Sequence, residues 1–348
     1  MPPVSSARFQ AAMADRYVID RVLGQGGMGT VYLARDVKHG RPVAIKVLFP
    51  EVLERVGAAN FLREIRLTAR LQHPHILPLL DSGEAAGCSY YVMPYVKDGS
   101  LRQLMNRKGR LSLKEGMRLA RGLLDALHHA HENRVVHFDN KPENIQISGG
   151  HAVLTDFGIS RAVRTEDSPW RAALDTSSGT PAYVSPEQAS GEPVVDPRSD
   201  IYSLACVLFE MFAGAPPFDG ASDLAVVSRR FTQPAPSLSR VAPHVPAGLS
   251  AAIRRAMAID VNRRFSSVRH FRRAVDRGVG LGARPIMGLF TLGLARLFGS
   301  ANSVRRSSIR RSRSTAQSLI SKSRHSIETA AMAAKASSGA NWTVGEGR

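Results

Sequence analysis

The sequence predicts an α+β chain of two lobes, a small β-rich one followed by a larger, mostly helical one. Three observations carry this. Strand-like apolar runs recur between Arg16 and Val96, punctuated by glycine. Within that region only Phe61-Leu62-Arg63-Glu64-Ile65-Arg66-Leu67 has helical spacing. Further on, Leu113 to Glu132 sustains helical periodicity without a break. At 348 residues, 43% of them apolar, the chain can bury a sizeable core.

Taken in order, residues 1–15 read as a flexible leader, and no signal peptide is expected because Met1 to Asp15 lacks a long apolar core. Arg16 to Leu23 is a first strand and Val31 to Ala34 a second, joined by Gly24-Gln25-Gly26-Gly27-Met28-Gly29-Thr30. Gly24, Gly26 and Gly29 would let the backbone approach phosphate groups without hindrance from a Cβ. A dinucleotide-binding turn shares this spacing but requires a helix next, whereas Val31-Tyr32-Leu33 is strand-like. Pro42 to Leu48 is a third strand with one inward lysine, Lys46, which needs a partner because an unpaired buried charge is costly. His73-Pro74-His75-Ile76-Leu77 and Ser89 to Val96 supply two more strands, which places the lobe boundary near residue 95. His128, His129 and His131 have no cysteine or carboxylate at ligand spacing, so they read as packed or surface residues rather than a zinc site. Cys88 and Cys206 are far apart, as expected of a reducing, cytoplasmic compartment.

The chemistry concentrates between His137 and Gly158. Ile145-Gln146-Ile147, a Gly149-Gly150 turn and Ala152-Val153-Leu154 form a short hairpin with two apolar arms. That hairpin would return Asp156 to the side of Asp139 and Asn144, with Lys141 next to them. Such a set suits phosphoryl transfer, where positioning and charge neutralisation supply most of the rate. The hard oxygens of Asn144 and Asp156 suit Mg²⁺. Asp139 is then left to orient an attacking hydroxyl and accept its proton, and Lys141 to neutralise the moving phosphoryl group.

With these motifs in place, residues 16–276 resemble a eukaryotic-type (Hanks-type) protein kinase, most closely the bacterial Ser/Thr branch. The resemblance implies the two-lobed kinase fold, with an N-lobe of about 16–95 and a C-lobe of about 96–276. It implies ATP as donor, Mg²⁺ (with Mn²⁺ as the alternative) as metal, and protein serine and threonine hydroxyls as acceptors, including those of the chain itself. Gly24, Gly26, Gly29 and Val31 would cover the nucleotide, while Lys46 binds its α- and β-phosphates and pairs with Glu64. Met93 would border the adenine pocket, and the Pro94 carbonyl and Val96 amide would hold the purine. Asp139 and Lys141 take the catalytic roles, and Asn144 and Asp156 those of metal ligands. Ile159 to Ser178 resembles an activation segment carrying Thr165, Ser168, Thr176, Ser177 and Ser178. Thr180, in the closing run Gly179 to Glu187, would hydrogen-bond near Asp139 and Lys141, a mark of Ser/Thr selectivity. Glu187 would pair with Arg264, and Asp200 would brace the catalytic loop. The alternative is a pseudokinase, a nucleotide-responsive binding module, against which stand Lys46, Glu64, Asp139, Lys141, Asn144 and Asp156. A small-molecule phosphotransferase could share the loop but not the run from Thr180 to Glu187.

The formal charge is +18, and from Gly278 onward eleven basic residues face two acidic ones. Residues 277–348 read as a basic, Ser/Arg-rich tail with a short apolar segment at 285–298, below the ~20 residues of a membrane span; an amphipathic segment lying on a membrane or docked on the preceding domain is expected, with a spanning helix from about Gly278 to Ser300 as the alternative. Arg305-Arg306-Ser307-Ser308-Ile309-Arg310-Arg311-Ser312-Arg313-Ser314 fits peripheral contact with an anionic membrane, or a solvated tail. No aromatic residue interleaves these arginines, so no specific nucleic-acid partner is expected.

Phe138 stands where most such kinases carry the arginine that answers a phosphorylated activation segment, and Asn140 replaces an apolar residue. Activity is therefore expected to depend little on phosphorylation of Thr176 or its neighbours. Turnover measured before and after phosphatase treatment should differ by less than about tenfold; a loss of about a hundredfold would contradict this, since charge-assisted pairing would then be required.

Overall fold

The computed structural model describes residues 6–280 except 57, 158–180, 191–195 and 221. The chain divides into two units, Met1–Arg284 and Pro285–Arg348; the second, with the apolar segment and the arginine–serine run, lies outside the described residues.

The N-lobe is built on a five-stranded antiparallel sheet of order β1-β2-β3-β5-β4, made of β1 (Tyr17–Gly26), β2 (Gly29–Asp36), β3 (Arg41–Leu48), β4 (Asp81–Ala85) and β5 (Cys88–Pro94). β3 is buried without interruption from Val43 to Leu48, which requires cover on both faces. On one face Val43, Ile45 and Val47 pack with Tyr90 and Val92. On the other, Leu48 and Tyr91 pack with Phe61 and Ile65 of α3 (Ala58–Thr68), which follows the short α2 (Pro50–Val56).

The first face is covered by residues expected to be a flexible leader. Ser6–Met13 is instead a helix, α1, whose Phe9 and Met13 are 3% and 4% exposed. Phe9 stacks on Tyr32 at 6.3 Å and meets Tyr90 edge-on at 5.9 Å. The helix is short and weakly amphipathic, so nothing local marks it; the apolar sheet face beneath makes it form.

A second correction concerns β4. His73–Leu77 is not a sheet strand; β4 is Asp81–Ala85, joined to β5 by Ala86-Gly87 at φ of 51° and 77°, the type I′ combination that suits a two-residue hairpin. Asp-Ser-Gly-Glu-Ala lacks apolar alternation because it is a partly exposed edge strand. His73–Leu77 instead crosses to the C-lobe, where Leu77 N–H donates to Leu154 O at 2.8 Å and Leu154 N–H to His75 O at 2.9 Å.

The C-lobe contains α4 (Leu101–Lys108), α5 (Leu113–Glu132), the hairpin β6 (Ile145–Ser148) and β7 (His151–Leu154), α6 (Pro186–Ala189), α7 (Arg198–Ala213), α8 (Asp223–Thr232), α9 (Leu238–Val241), α10 (Ala247–Ala256) and α11 (Val268–Gly278). α5 spans the predicted periodic segment. It begins at the Ser112 cap and buries one stripe, including Leu119, Leu123 and Leu127. A Cβ at Gly122 would overlap the His75 ring, so this mid-helix glycine is where the crossing segment seats. α7 is buried on all sides and forms the axis of the lobe, ending at Gly214 with φ of 83°. His129 stacks on His73, and among the described residues no three histidine, cysteine, aspartate or glutamate side chains are grouped to hold a metal. No described helix is long and apolar enough to cross a membrane.

Replacing Phe9 with alanine removes a buried ring and should destabilise the chain by about 3 kcal/mol, read as a lowered thermal midpoint. An unchanged midpoint would show that α1 does not dock on the sheet.

Candidate active site

The β6–β7 hairpin sets the site. Gly149 and Gly150 lie at φ of 56° and 79° and close it, pairing Ile145 with Leu154. The residues just outside its ends are therefore neighbours: Thr155 N–H donates to Asn144 O at 3.0 Å. Asn144 Nδ2 donates to both Asp139 Oδ2 at 2.8 Å and Asp139 O at 2.9 Å. Lys141 Nζ lies 2.8 Å from the same Asp139 Oδ2. Burial would lower the Lys141 pKa, but the Asp139 carboxylate outweighs it and holds the ammonium above its ordinary range, with Asp156 adding to the effect.

Asp156 faces inward to the N-lobe. Its Oδ2 accepts from Lys46 Nζ at 2.8 Å and its Oδ1 from the Tyr91 hydroxyl at 2.5 Å. Burial alone would raise this carboxyl's pKa, yet Lys46 and the Tyr91 hydrogen bond keep it below the usual carboxylate range. Glu64 is on α3, but its side chain lies outside the described residues; the ion pair described for Lys46 is with Asp156.

The loop from His137 to Asn144 hangs from one buried carboxylate, Asp200 on α7. Its Oδ2 accepts from His137 N at 2.8 Å and lies 2.8 Å from His131 Nε2. Its Oδ1 accepts from Phe138 N at 2.8 Å and Asn140 Nδ2 at 2.9 Å. The His137 ring is buried, takes the Asp139 N–H on Nδ1 at 3.2 Å and turns Nε2 to Thr155 O at 2.8 Å. A second buried pair closes the far side: both Arg264 terminal nitrogens meet Glu187 at 2.7 Å, and Ser199 Oγ adds a donor. The expected bracing by Asp200 and the Glu187–Arg264 pair are thus present as geometry.

Over the cleft, a Cβ at Gly24 or Gly26 would meet no described residue within 4 Å beyond its chain neighbours, which leaves room for a ligand. Gly29 has a different reason, since a Cβ there would overlap the Val47 carbonyl oxygen of β3. Val31 lies opposite Lys46 in the sheet register. Met93, Pro94 and Val96 are half-buried where β5 leads into the C-lobe. Thr180, Gly158 and the phosphorylatable residues from Thr165 to Ser178 lie outside the described residues.

The donor set fits a hard divalent cation. The Asn144 amide nitrogen is committed to Asp139, so its Oδ1 is the atom left to bind. From the described residues each Asp156 oxygen accepts one bond, which leaves it a lone pair. Sequence reasoning missed Tyr91, whose place on an apolar strand gave no sign of a polar role. It also missed Arg102, which reaches Glu143 at 2.8 Å, Glu210 at 2.6 Å and the Tyr183 hydroxyl. An arginine on a helix, far in sequence from both glutamates, carries no local signal.

A five-stranded lobe over a helical one, with a lysine and two acidic loops meeting in the cleft, defines the protein kinase architecture. The family model described as protein kinase domain matches residues 17–274, and the chain belongs to that family. It is 37% identical over 284 residues to the probable serine/threonine-protein kinase PknB of Bifidobacterium longum, covering 77% of this chain and 40% of that protein. It is 37% identical over 257 residues to the serine/threonine-protein kinase PrkC of Bacillus subtilis, covering 73% of this chain and 39% of that protein. The chain thus matches about two fifths of the length of these curated relatives. A crystal structure of Rad53 in complex with AMP-PNP shares the fold, with a TM-score of 0.61 and 24% identity over 74% of this chain and 64% of that one. Protein kinases as a family use ATP and a divalent metal.

The Glu187–Arg264 pair yields a stability test. Burial would raise the Glu187 pKa, but Arg264 outweighs it and holds the carboxyl low, so the pair's contribution is full at neutral pH and is lost as pH falls through that lowered value. Arg264→Met should cost about 3–5 kcal/mol at pH 7 in urea unfolding, because Glu187 is left buried without its cation. The difference from wild type should shrink in acid as Glu187 protonates; a gap independent of pH would overturn this assignment.

Proposed function

We propose that this chain is an active serine/threonine protein kinase, which moves the γ-phosphoryl group of ATP to a protein hydroxyl and also phosphorylates itself. The observation that carries the reading is Asp139. Its carboxylate is held by Asn144 and Lys141 on one oxygen, at the mouth of a cleft whose inner wall is the Lys46–Asp156 pair. Asp139 orients the acceptor hydroxyl and takes its proton as the new O–P bond forms and the bond to the β-phosphate oxygen breaks, releasing ADP. Lys141 sits beside the acceptor and balances the charge of the phosphoryl group in transit. Lys46 is placed to turn from Asp156 to the α- and β-phosphates under the open glycine strip. Mg²⁺, with Mn²⁺ as the alternative, held by Asn144 and Asp156 would neutralise charge between the β- and γ-phosphates. Glu64, Pro94, Val96 and Thr180 take the supporting roles expected of them. The surplus of basic over acidic residues beyond Gly278 supports peripheral contact of a cytoplasmic enzyme with anionic membrane.

Incubating the full chain with γ-labelled ATP and Mg²⁺ tests the central reading, with Asp139→Asn in parallel. Label should appear on protein serine and threonine, and the variant should lose about 10²–10⁴-fold in rate, the usual share of a general base. No transfer at all would favour the pseudokinase, and label on a small alcohol a different phosphotransferase.

A further inference from the structure

We propose that Tyr91 is a positioning residue for the metal-binding role of Asp156, fixing the plane of that carboxylate so that its cleft-facing lone pairs are presented to the cation. The proposal rests on the reading of Asp156 as a metal ligand given above.

Strand alternation puts Tyr91 there. On β5 the Tyr90 ring turns to the face covered by α1, and the Tyr91 ring turns the other way, into the space beneath α3. In the sheet register Tyr91 lies opposite Lys46, so ring and ammonium emerge side by side, with Lys46 Nζ 5.9 Å from the ring centroid. They end on one carboxylate, the hydroxyl on Asp156 Oδ1 at 2.5 Å and the ammonium on Oδ2 at 2.8 Å. Each donor holds one oxygen of the carboxylate, so the Tyr91 hydroxyl restrains its rotation through Oδ1 whatever Lys46 does at Oδ2. The surroundings supply no substitute. The small cavity here is lined by apolar side chains such as Ile65, Leu79 and Met93 and by two threonines whose hydroxyls are spent elsewhere, Thr68 on the Phe157 carbonyl and Thr155 on the Asn144 carbonyl, so among the described residues the phenol is the hydroxyl aimed at Asp156.

The hydroxyl matters more because Lys46 has a second duty. When the ammonium turns to nucleotide phosphates, the Tyr91 bond is, among the described residues, the interior side-chain contact that remains on Asp156. The backbone at Asp156 has φ of 63°, a left-handed conformation disfavoured for a residue with a Cβ, so the side chain needs an anchor to keep its aim. A phenylalanine at this position would fill the same space and supply no such anchor.

The test titrates Mn²⁺ into the full chain with ADP, reading free Mn²⁺ by electron paramagnetic resonance, for wild type, Tyr91→Phe and Tyr90→Phe. Tyr91→Phe should weaken Mn²⁺ binding about 10–100-fold, the usual cost of losing a hydrogen bond to a metal ligand, while Tyr90→Phe follows the wild-type curve. The free Mg²⁺ needed for half-maximal turnover should rise in parallel, with the KM for protein substrate unchanged. Superimposable Mn²⁺ curves for Tyr91→Phe and wild type overturn the proposal, as does an equal shift in Tyr90→Phe. Absence of ADP-linked Mn²⁺ binding by wild type would instead defeat the underlying reading of Asp156. Should Tyr91→Phe fail to fold, 3-fluorotyrosine placed at position 91 keeps the hydroxyl. Its fluorine resonance should shift as Mg²⁺ and ADP bind, and a signal that ignores saturating Mg²⁺·ADP overturns the proposal.

Discussion

The structure depends first on the Asp200 carboxylate. A charge buried in the axis helix of the larger lobe is tolerated only if its lone pairs are filled, and here four donors fill them. Three of the four come from the loop that carries Asp139, at His137, Phe138 and Asn140, and the fourth from His131 at the end of α5. The most deeply packed helix thereby dictates where Asp139 stands. The loop also contains Phe138 at φ of 64°, a strained value for a ring-bearing residue, which persists because Asp200 and Gln188 hold the peptides on either side.

Asp200 also explains how the loop manages the change at Phe138. An arginine there would tie the loop to a phosphorylated segment; Phe138 contributes its backbone N–H, and Asn140 contributes a side-chain donor that an apolar residue could not. Among the described residues these bonds hold the loop from below, by the core. Arg102 performs a similar service, joining α4 to Glu143 of the loop, Glu210 of α7 and Tyr183. Burial first, and then Glu210, push the Tyr183 phenol far above its ordinary range, so it serves as a neutral donor in that network.

Electrostatically the cleft is balanced in pairs, Lys46 with Asp156 and Lys141 with Asp139. Each cation has a carboxylate to leave and each carboxylate a second donor to keep: Tyr91 for Asp156, Asn144 for Asp139. Such a site can exchange protein cations for ligand charge without stranding a buried anion, the costly outcome in a low-dielectric interior.

The sequence by itself determined the features written in contiguous residues or fixed spacing. The β6–β7 hairpin, its double-glycine turn, α5 and the approach of Asn144 to Asp139 were all legible, because local turn chemistry and periodicity cause them. By resemblance it also paired Glu187 with Arg264 and set Asp200 to brace the loop, though it named none of that carboxylate's four donors. The docking of α1, the position of β4 and the crossing of His73–Leu77 to the C-lobe were decided only by tertiary structure. In each case the cause is a surface built elsewhere in the chain: the apolar sheet face under Phe9, the free edge of β5, and the notch at Gly122. Tyr91 belongs with these, since its polar partner lies 65 residues away and comes within reach only when the two lobes meet.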